Sequence, residues 1–262
     1  MANLGKVWFV GTGPGDPELI TVKGQRLLRE AGAILYAGSL VSEACTLWAS
    51  EGCEIADSRG MTLEDITSWL IEMAAKHETV IRLQTGDPGL YGALIEMLQP
   101  LDEAGIASAV VPGVSSAFAS MASASESLTL PEVTQTVILT RVEGRTPMPD
   151  GESLRELAQH KTTMCLFLSI TLLNKVREEL LAAGWQDDDK VLVVQKASWP
   201  GEEKIVRGTI ANIREKCRDE KIASQAMIVV SPTLGARDWK TLKKSKLYDA
   251  GFTHRFRKAE NK

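Results

Sequence analysis

The chain has 262 residues, of which 44% are hydrophobic and 24% are charged, and its formal net charge at pH 7 is −4. This length predicts about two domains, each able to bury a core without disulfides. The acidic balance argues against a general nucleic-acid binder. The sequence shows no apolar run of the roughly 20 residues that a membrane span needs and no cleavable signal. We therefore expect a cytoplasmic protein that does not span a membrane.

In the first half of the chain, short apolar strands alternate with helical patterns. Strands are predicted at residues 6–10, 33–37, 54–56, 79–83 and 107–111. Helices are predicted between them at residues 21–32, 42–49, 63–76 and 91–104, with Thr62 as a cap of the third. Alternation at these lengths indicates parallel βαβ units and a sheet buried on both faces.

The second half has a different pattern. Strands are predicted at residues 136–140, 164–168, 190–195, 203–207 and 226–230, and helices near residues 153–159, 172–183 and 210–216. The third and fourth of these strands, joined through Trp199-Pro200-Gly201, indicate an antiparallel hairpin. The sequence therefore predicts an α/β protein with two α/β domains, residues 1–115 and 116–240, and a basic tail at 241–262.

The cysteines are Cys45, Cys53, Cys165 and Cys217. They form no CxxC pair and have no neighbouring histidine, so we expect neither a zinc site nor disulfides. They are predicted to be small buried hydrophobic residues.

Three glycine-rich turns follow strands of the predicted parallel sheet, at residues 10–24, 83–92 and 111–116. In the first turn, Asp16 stands where a dinucleotide fingerprint needs its third glycine, which argues against a nucleotide-dependent oxidoreductase. Taken singly, Asp87, Ser115 and Ser116 can be explained as helix caps. Taken together, the turns predict a ligand site, because open α/β sheets bind ligands at the carboxyl ends of their strands.

These three loops, in this order, resemble those of the tetrapyrrole methylase family. The family's motifs are similar to GTGPGDPELITVKG (11–24), VIRLQTGDPGLYG (80–92) and PGVSS (112–116). Three further segments of this chain resemble segments of the subfamily that methylates precorrin-4 at C11 in cobalamin biosynthesis. They are LYAGSLV (35–41), DSRGMTLEDI (57–66) and TRVEGRTPMP (140–149). The resemblance covers nearly the whole chain. It implies a methyltransferase that uses S-adenosylmethionine, two α/β domains with the active-site cleft between them, and a homodimer.

The resemblance also implies which residues contact the cofactor. These residues are Pro14, Thr85, Gly86, Asp87, Leu90, Ser115, Ser116, Leu168, Ala197, Ala226 and Met227. Many of them are small, which suits a site for a buried adenosine. No metal bound by the protein itself is expected.

The proton acceptor is not identified by the resemblance. Relatives that methylate uroporphyrinogen carry an aspartate just after the tyrosine equivalent to Tyr36, where this chain has Ala37. Asp16, Tyr91 and Glu143 are the catalytic candidates. Each has a plainer interpretation: Asp16 shapes its own turn, Tyr91 packs, and Glu143 pairs with an arginine at 141 or 145.

The substrate implied by the resemblance is a polycarboxylate tetrapyrrole, so basic residues are candidate contacts. They are Arg59, Arg141, Arg145 and Lys196. Each is equally well explained as a surface residue. The alternatives that stay open are methylation of another corrin carbon, methylation of a modified histidine on a translation factor, and a tetrapyrrole carrier without catalysis.

Overall fold

The chain folds into two compact units, seen in a computed structural model that describes residues 4–41, 43–242 and 245–259. The first unit comprises Met1–Ala119 and Lys196–Glu203, and the second comprises Ser120–Gln195 and Lys204–Lys262. These limits differ from the predicted domains, since residues 116–119 and 196–203 belong to the first unit and the basic tail belongs to the second.

The first unit contains a five-stranded sheet in the order β3-β2-β4-β1-β5. Its strands are β1 (Lys6–Gly11), β2 (Ala33–Tyr36), β3 (Glu54–Asp57), β4 (Thr79–Gln84) and β5 (Ser108–Val111). Every neighbouring pair is parallel, as the alternating pattern predicted. The carboxyl ends of all five strands therefore lie along one edge of the sheet.

Both faces of this sheet are covered by apolar side chains. Phe9, Leu35 and Val80 belong to one buried cluster, and Ile34 and Ile81 belong to the other. Because side chains alternate along a strand, successive residues of β2 and β4 enter opposite clusters. This double burial explains why the strands read as continuous apolar runs.

Helices α1 (Val22–Glu30), α2 (Leu63–Lys76) and α3 (Leu94–Glu103) follow strands of the first sheet in the chain. Helix α4 (Ser116–Ala124) follows β5 and begins in the first unit but ends in the second. Helix α3 begins later than expected, because Tyr91 and Ala93 adopt left-handed φ values of 56° and 49°. Helix α4 was not predicted, because its alanines and serines give little amphipathic contrast.

The helix predicted at residues 42–49 is wrong. A short 3-10 helix occupies Glu43–Thr46, and residues 47 and 48 form a turn. Ser42, the predicted first residue, lies outside the described residues. Leu47 N donates to Ala44 O at 3.2 Å and Ala49 N donates to Thr46 O at 2.8 Å, so the segment is held by the i→i−3 bonds of tight turns and not by α-helical bonds.

The second unit contains a mixed sheet in the order β6-β7-β10-β8-β9. Its strands are β6 (Val137–Arg141), β7 (Thr163–Phe167), β8 (Lys190–Gln195), β9 (Lys204–Thr209) and β10 (Ala226–Val230). Its helices are α5 (Leu154–Ala158), α6 (Leu173–Ala182) and α7 (Ile213–Asp219). Strands β8 and β9 form the predicted antiparallel hairpin, whereas β6 and β7 are parallel.

The cysteines are core residues. Cys45, Cys165 and Cys217 are buried, Cys53 is half-buried, and all four are free thiols. Burial raises the pKa of Cys165 to about 12 and that of Cys217 to about 11. Such thiols are uncharged at neutral pH and unreactive. The burial of Cys45, Cys165 and Cys217 agrees with the prediction of small buried hydrophobic residues.

In the part of the chain that the structure describes, no helix has the length and apolarity needed to span a membrane.

Helix α2 offers a test of local stability, because it begins with a capping box. Thr62 Oγ1 accepts from Asp65 N at 3.1 Å, and Asp65 Oδ2 accepts from Thr62 N at 3.0 Å. We expect Thr62→Ala to lower the free energy of unfolding by about 1 kcal/mol in urea titrations. The exposed threonine Thr171 supplies the control variant Thr171→Ala, and equal losses in the two variants would contradict the cap.

The backbone N–H of Thr62 first, and its hydroxyl second, hold the pKa of the Asp65 carboxyl below its ordinary value. A carboxylate with a lowered folded pKa stabilises the fold above its unfolded pKa, and this contribution disappears as the pH falls through the folded pKa. The difference between wild type and Thr62→Ala should therefore shrink in acid.

Candidate functional site

The three glycine-rich loops come together at one edge of the first sheet. They follow β4, β1 and β5, which are adjacent in the sheet. The first two loops are joined by an isolated bridge in which Gly86 N donates to Gly13 O at 2.8 Å. The predicted convergence of the loops is therefore present, and it is made by main-chain atoms.

Side chains are sterically excluded from the centre of this junction, which we call the glycine seam (Gly11, Gly86 and Gly113). A Cβ atom added to Gly11 would lie 2.5 Å from Gly86 O, and one added to Gly113 would lie 2.0 Å from the same oxygen. Both distances are below van der Waals contact with a backbone atom. Gly86 itself has a φ of 60°, in the left-handed region.

Asp87 links two of the loops and does not cap a helix. Its Oδ1 accepts from Gly89 N at 2.8 Å, and its Oδ2 accepts from Gly113 N at 3.0 Å. Helix α3 has Ala93 at its N-cap, with no side-chain capping bond. The capping interpretation of Asp87 is therefore wrong, because the carboxylate crosses from the β4 loop to the β5 loop.

Ser115 does cap a helix, as one interpretation of the sequence expected. Its Oγ accepts from Ala117 N at 3.3 Å, and its carbonyl accepts from the backbone of Phe118 and Ala119 at 3.1 Å. Ser116 is the first residue of α4 and is half-buried. The third loop thus passes directly from the glycine seam into the amino end of a helix.

A segment remote in sequence, residues 196–203, packs on the first glycine loop within the same unit. Trp199 Nε1 donates to Pro14 O at 2.9 Å, and Asp16 N donates to Ser198 Oγ at 3.1 Å. The indole ring covers Gly15, where an added Cβ would lie 1.9 Å from Trp199 Cδ1. These contacts bring buried Ala197 beside the Pro14 loop, so two predicted cofactor contacts lie on neighbouring segments.

The predicted residues of the second unit collect at one edge of its sheet. Arg141 and Phe167 end the parallel strands β6 and β7 in register, and Ala226 begins β10 opposite Gln195, the last residue of β8. Leu168 follows β7 directly, has a left-handed φ of 52° and is 64% exposed. Met227, the next residue of β10, is buried.

The three catalytic candidates are separated between the units. Asp16 uses Oδ1 to accept from Glu18 N at 2.9 Å, so it shapes its own turn. Tyr91 lies in the β4 loop and is exposed. Glu143 belongs to the second unit, where its Oε2 lies 3.2 Å from Lys175 Nζ, so its partner is this lysine instead of an arginine. Their catalytic roles stay predictions.

The four basic candidates differ in how their charges are used. Arg59 pairs with Asp57 at 3.5 Å. Arg141 closes its own loop by donating to Thr146 O at 3.2 Å and Pro147 O at 2.7 Å. Lys196 lies over the Trp199 ring and pairs with Glu202.

Arg145, the fourth of these basic candidates, is exposed in the loop that follows β6. No side-chain bond of Arg145 is observed among the described residues.

Sequence reasoning missed Trp199 and Ser198. Their contacts span 185 and 182 residues, so no local pattern indicates them. The hairpin turn at Trp199-Pro200-Gly201 was visible as a turn, but its packing partner was not. Asp57, at the end of β3, and Arg82, which bonds to Ser58 just after it, were missed for the same reason.

The sequence profile of the Tetrapyrrole (Corrin/Porphyrin) Methylases matches residues 6–214. The chain is 47% identical over 262 residues to a cobalt-precorrin-4 C(11)-methyltransferase of Methanocaldococcus jannaschii, covering all of both chains. It is 43% identical over 254 residues to a precorrin-4 C(11)-methyltransferase of Pseudomonas aeruginosa, covering 97% of this chain and 99% of the relative.

Solved structures show the same similarity. A cobalt precorrin-4 methyltransferase superposes with a TM-score of 0.84 at 47% identity, over 86% of this chain and 94% of that one. A uroporphyrin-III C-methyltransferase from Thermus thermophilus, in complex with S-adenosyl homocysteine, superposes with a TM-score of 0.73 at 28% identity, over 88% of this chain and all of that one.

The glycine seam predicts that a single methyl group at residue 113 is destabilising. Gly113→Ala should lower the free energy of unfolding by about 1–3 kcal/mol, because the Cβ meets a backbone oxygen that cannot rotate away. Gly144→Ala is the matched control, since its Cβ would meet only the flexible side chain of Leu172, at 3.3 Å. Equal stability of the two variants in urea titrations would show that the seam tolerates side chains.

The contact between Trp199 and Pro14 can be tested without removing the ring. Trp199→Phe keeps an aromatic ring against Gly15 but loses the indole N–H, so the expected loss is about 0.5–1.5 kcal/mol in the free energy of unfolding. Trp239→Phe, at a partly exposed tryptophan, is the control. A loss no larger than that of the control would show that this hydrogen bond does not stabilise the fold.

Proposed function

The chain belongs to the tetrapyrrole (corrin/porphyrin) methylase family, and on this premise we propose that it transfers the methyl group of S-adenosylmethionine to C11 of precorrin-4, or of its cobalt complex, in cobalamin biosynthesis. The observation that carries the proposal is the glycine seam. It lies within the motifs shared with the family, at the sheet edge where α/β proteins bind ligands.

The residues at this edge fit a nucleoside joined to an amino acid. An added Cβ at Gly86 would lie 3.7 Å from Ser115 Cα, in ordinary contact, so the missing side chain leaves a shallow recess beside that serine. The surrounding groups are main-chain amides, carbonyls and small hydroxyl side chains. The residues that would hold S-adenosylmethionine in the first unit are Pro14, Ala197, Ser115, Ser116 and the loop from Thr85 to Leu90.

S-adenosylmethionine supplies an electrophilic sulfonium methyl group when it is bound. The contribution of this chain is to fix the geometry of the methyl transfer. Cross-links between Gly13 and Gly86, and between Asp87 and Gly113, hold the loops by bonds that do not depend on a ligand. Such preorganised positioning of two reactants contributes up to about 7–11 kcal/mol to the lowering of a barrier.

Proton removal from the macrocycle needs an acceptor or solvent. Asp16 and Tyr91 both lie in loops at the carboxyl edge of the first sheet, whereas Glu143 lies beside Lys175 in the second unit. Among the described residues, the hydrogen bond to the Asp16 carboxylate is the one that Oδ1 accepts from Glu18 N. We propose Asp16 and Tyr91 as the acceptors to test before Glu143.

The substrate of this proposal is a polycarboxylate tetrapyrrole, so cations near the strand ends are proposed contacts. Arg145 and Arg59 are exposed, and Arg59 also pairs with Asp57. Arg141 and Lys196 use part of their bonding capacity within the fold. A homodimer, a cytoplasmic location and the absence of a protein-bound metal are further parts of the proposal. Among the described residues, no three His, Cys, Asp or Glu side chains are grouped to hold a metal ion.

The reaction can be tested with labelled cofactor. We expect ¹³C-methyl S-adenosylmethionine and enzymatically prepared precorrin-4 to give a product whose new methyl signal correlates with C11 in NMR spectra. A methyl signal on another carbon would make the chain a different corrin methylase. Binding of the tetrapyrrole without turnover and without binding of S-adenosylhomocysteine would instead favour the carrier.

The cofactor itself can be tested separately by calorimetry. S-adenosylhomocysteine is expected to bind with a micromolar Kd, corresponding to about −8 kcal/mol, whereas NAD and ATP should give no heat of binding. Binding of NAD in place of the homocysteine analogue would contradict the methyltransferase proposal.

A further inference from the structure

The first sheet leaves two strand ends outside the proposed cofactor site. The loops assigned to the cofactor follow β4, β1 and β5, whereas β3 and β2 occupy the other side of the same edge. Adjacent strands are about 4.8 Å apart, so β3 ends about 10 Å from β4.

The turn after β3 presents an exposed guanidinium in a fixed place. Asp57 Oδ1 accepts from Gly38 N at 2.9 Å and from Arg59 N at 2.8 Å. Arg59 Nη2 donates to Gly38 O at 2.6 Å and lies 3.5 Å from Asp57 Oδ2. The Arg59 side chain nevertheless remains 65% exposed, so its other donors face solvent.

A second guanidinium is buried behind this turn. Arg82 is 5% exposed, and its Nη1 donates to Ser58 Oγ at 2.8 Å. Among the described residues, its Nε has no hydrogen-bond partner, although its charge interacts with the Asp57 carboxylate. Burial lowers the pKa of Arg82 to about 10, which still leaves it cationic at neutral pH.

The charges at these strand ends do not cancel. The pKa of Asp57 is held below its ordinary value, by the backbone N–H of Arg59 first, then by Gly38 N–H and the two guanidinium groups, so the carboxylate is ionised. Two cations and one anion leave one positive charge uncompensated. Arg59 and the buried Arg82 share the single carboxylate of Asp57. A buried charge that is incompletely compensated is costly, and an arriving anion would relieve that cost.

We propose that the ends of β2 and β3 form a subsite for one carboxylate side chain of the tetrapyrrole, with Arg59 as the contacting residue and Asp57 as its positioning residue. This inference rests on the proposed function. Guanidinium binds carboxylate through two parallel hydrogen bonds. Because Asp57 and Gly38 already restrain Arg59, little rotamer entropy is lost when the substrate binds.

The test uses the full chain and uroporphyrin III, a stable octacarboxylate porphyrin, as the probe, with Kd measured by porphyrin fluorescence. Arg59→Ala is expected to raise this Kd about tenfold. Arg59→Lys, which keeps the charge but loses the paired N–H donors of the guanidinium, should raise it by less. The matched control is Arg26→Ala, because Arg26 is 61% exposed and also ion-paired, with Glu30. The control should leave the Kd unchanged.

S-adenosylhomocysteine separates the two possible sources of the carboxylate, since it carries an amino-acid carboxylate of its own. The subsite predicts the same calorimetric Kd for this ligand in wild type and Arg59→Ala. Weaker S-adenosylhomocysteine binding with unchanged porphyrin binding would assign Arg59 to the cofactor and overturn the inference. Unchanged binding of both ligands would overturn it as well. If wild type bound no S-adenosylhomocysteine, the proposed function itself would fail.

Discussion

The close approach of three backbones at Gly11, Gly86 and Gly113 is the constraint on which the site depends. A carbonyl oxygen at Gly86 stands where a Cβ of either neighbour would be, so only glycine allows the loops to meet. Once they meet, Asp87 and the bridge to Gly13 fix them with hydrogen bonds. The result is a wall of main-chain groups at the carboxyl edge of a parallel sheet, where a ligand can approach the backbone closely.

The same sheet edge is divided by polarity. Its β4-β1-β5 side ends in the glycine seam, which the Asp87 carboxylate crosses, and its β3-β2 side ends in Asp57 and Arg59. The buried Arg82 of β4 reaches the second side through its bond to Ser58. This division matches the two reactants of the proposed reaction, a nucleoside-bearing cofactor and a polyanionic macrocycle. Trp199 and Ser198 add a further wall by fastening residues 196–203 to the first glycine loop.

Much of the fold follows from local patterns. The ten predicted strands are present, because apolar runs of four to six residues bounded by turns identify buried strands. Helix ends were less predictable: α3 starts late because Tyr91 and Ala93 are left-handed, and α4 lacks amphipathic contrast. The loop motifs indicated the right strand ends for the site. They did not show that Ser115 caps a helix whereas Asp87 cross-links two loops.

By itself, the sequence determined the alternation of strands and helices, the hairpin of β8 and β9, the three glycine loops and the family to which they belong. These features are encoded within short stretches, through side-chain periodicity and backbone preferences. Only the tertiary structure decided that Trp199 reaches Pro14, that Asp57 holds Gly38 and Arg59, and that Arg82 is buried and bonded to Ser58. Such contacts join or surround residues that are distant in sequence, so they depend on which strands lie side by side, and no local pattern records that choice.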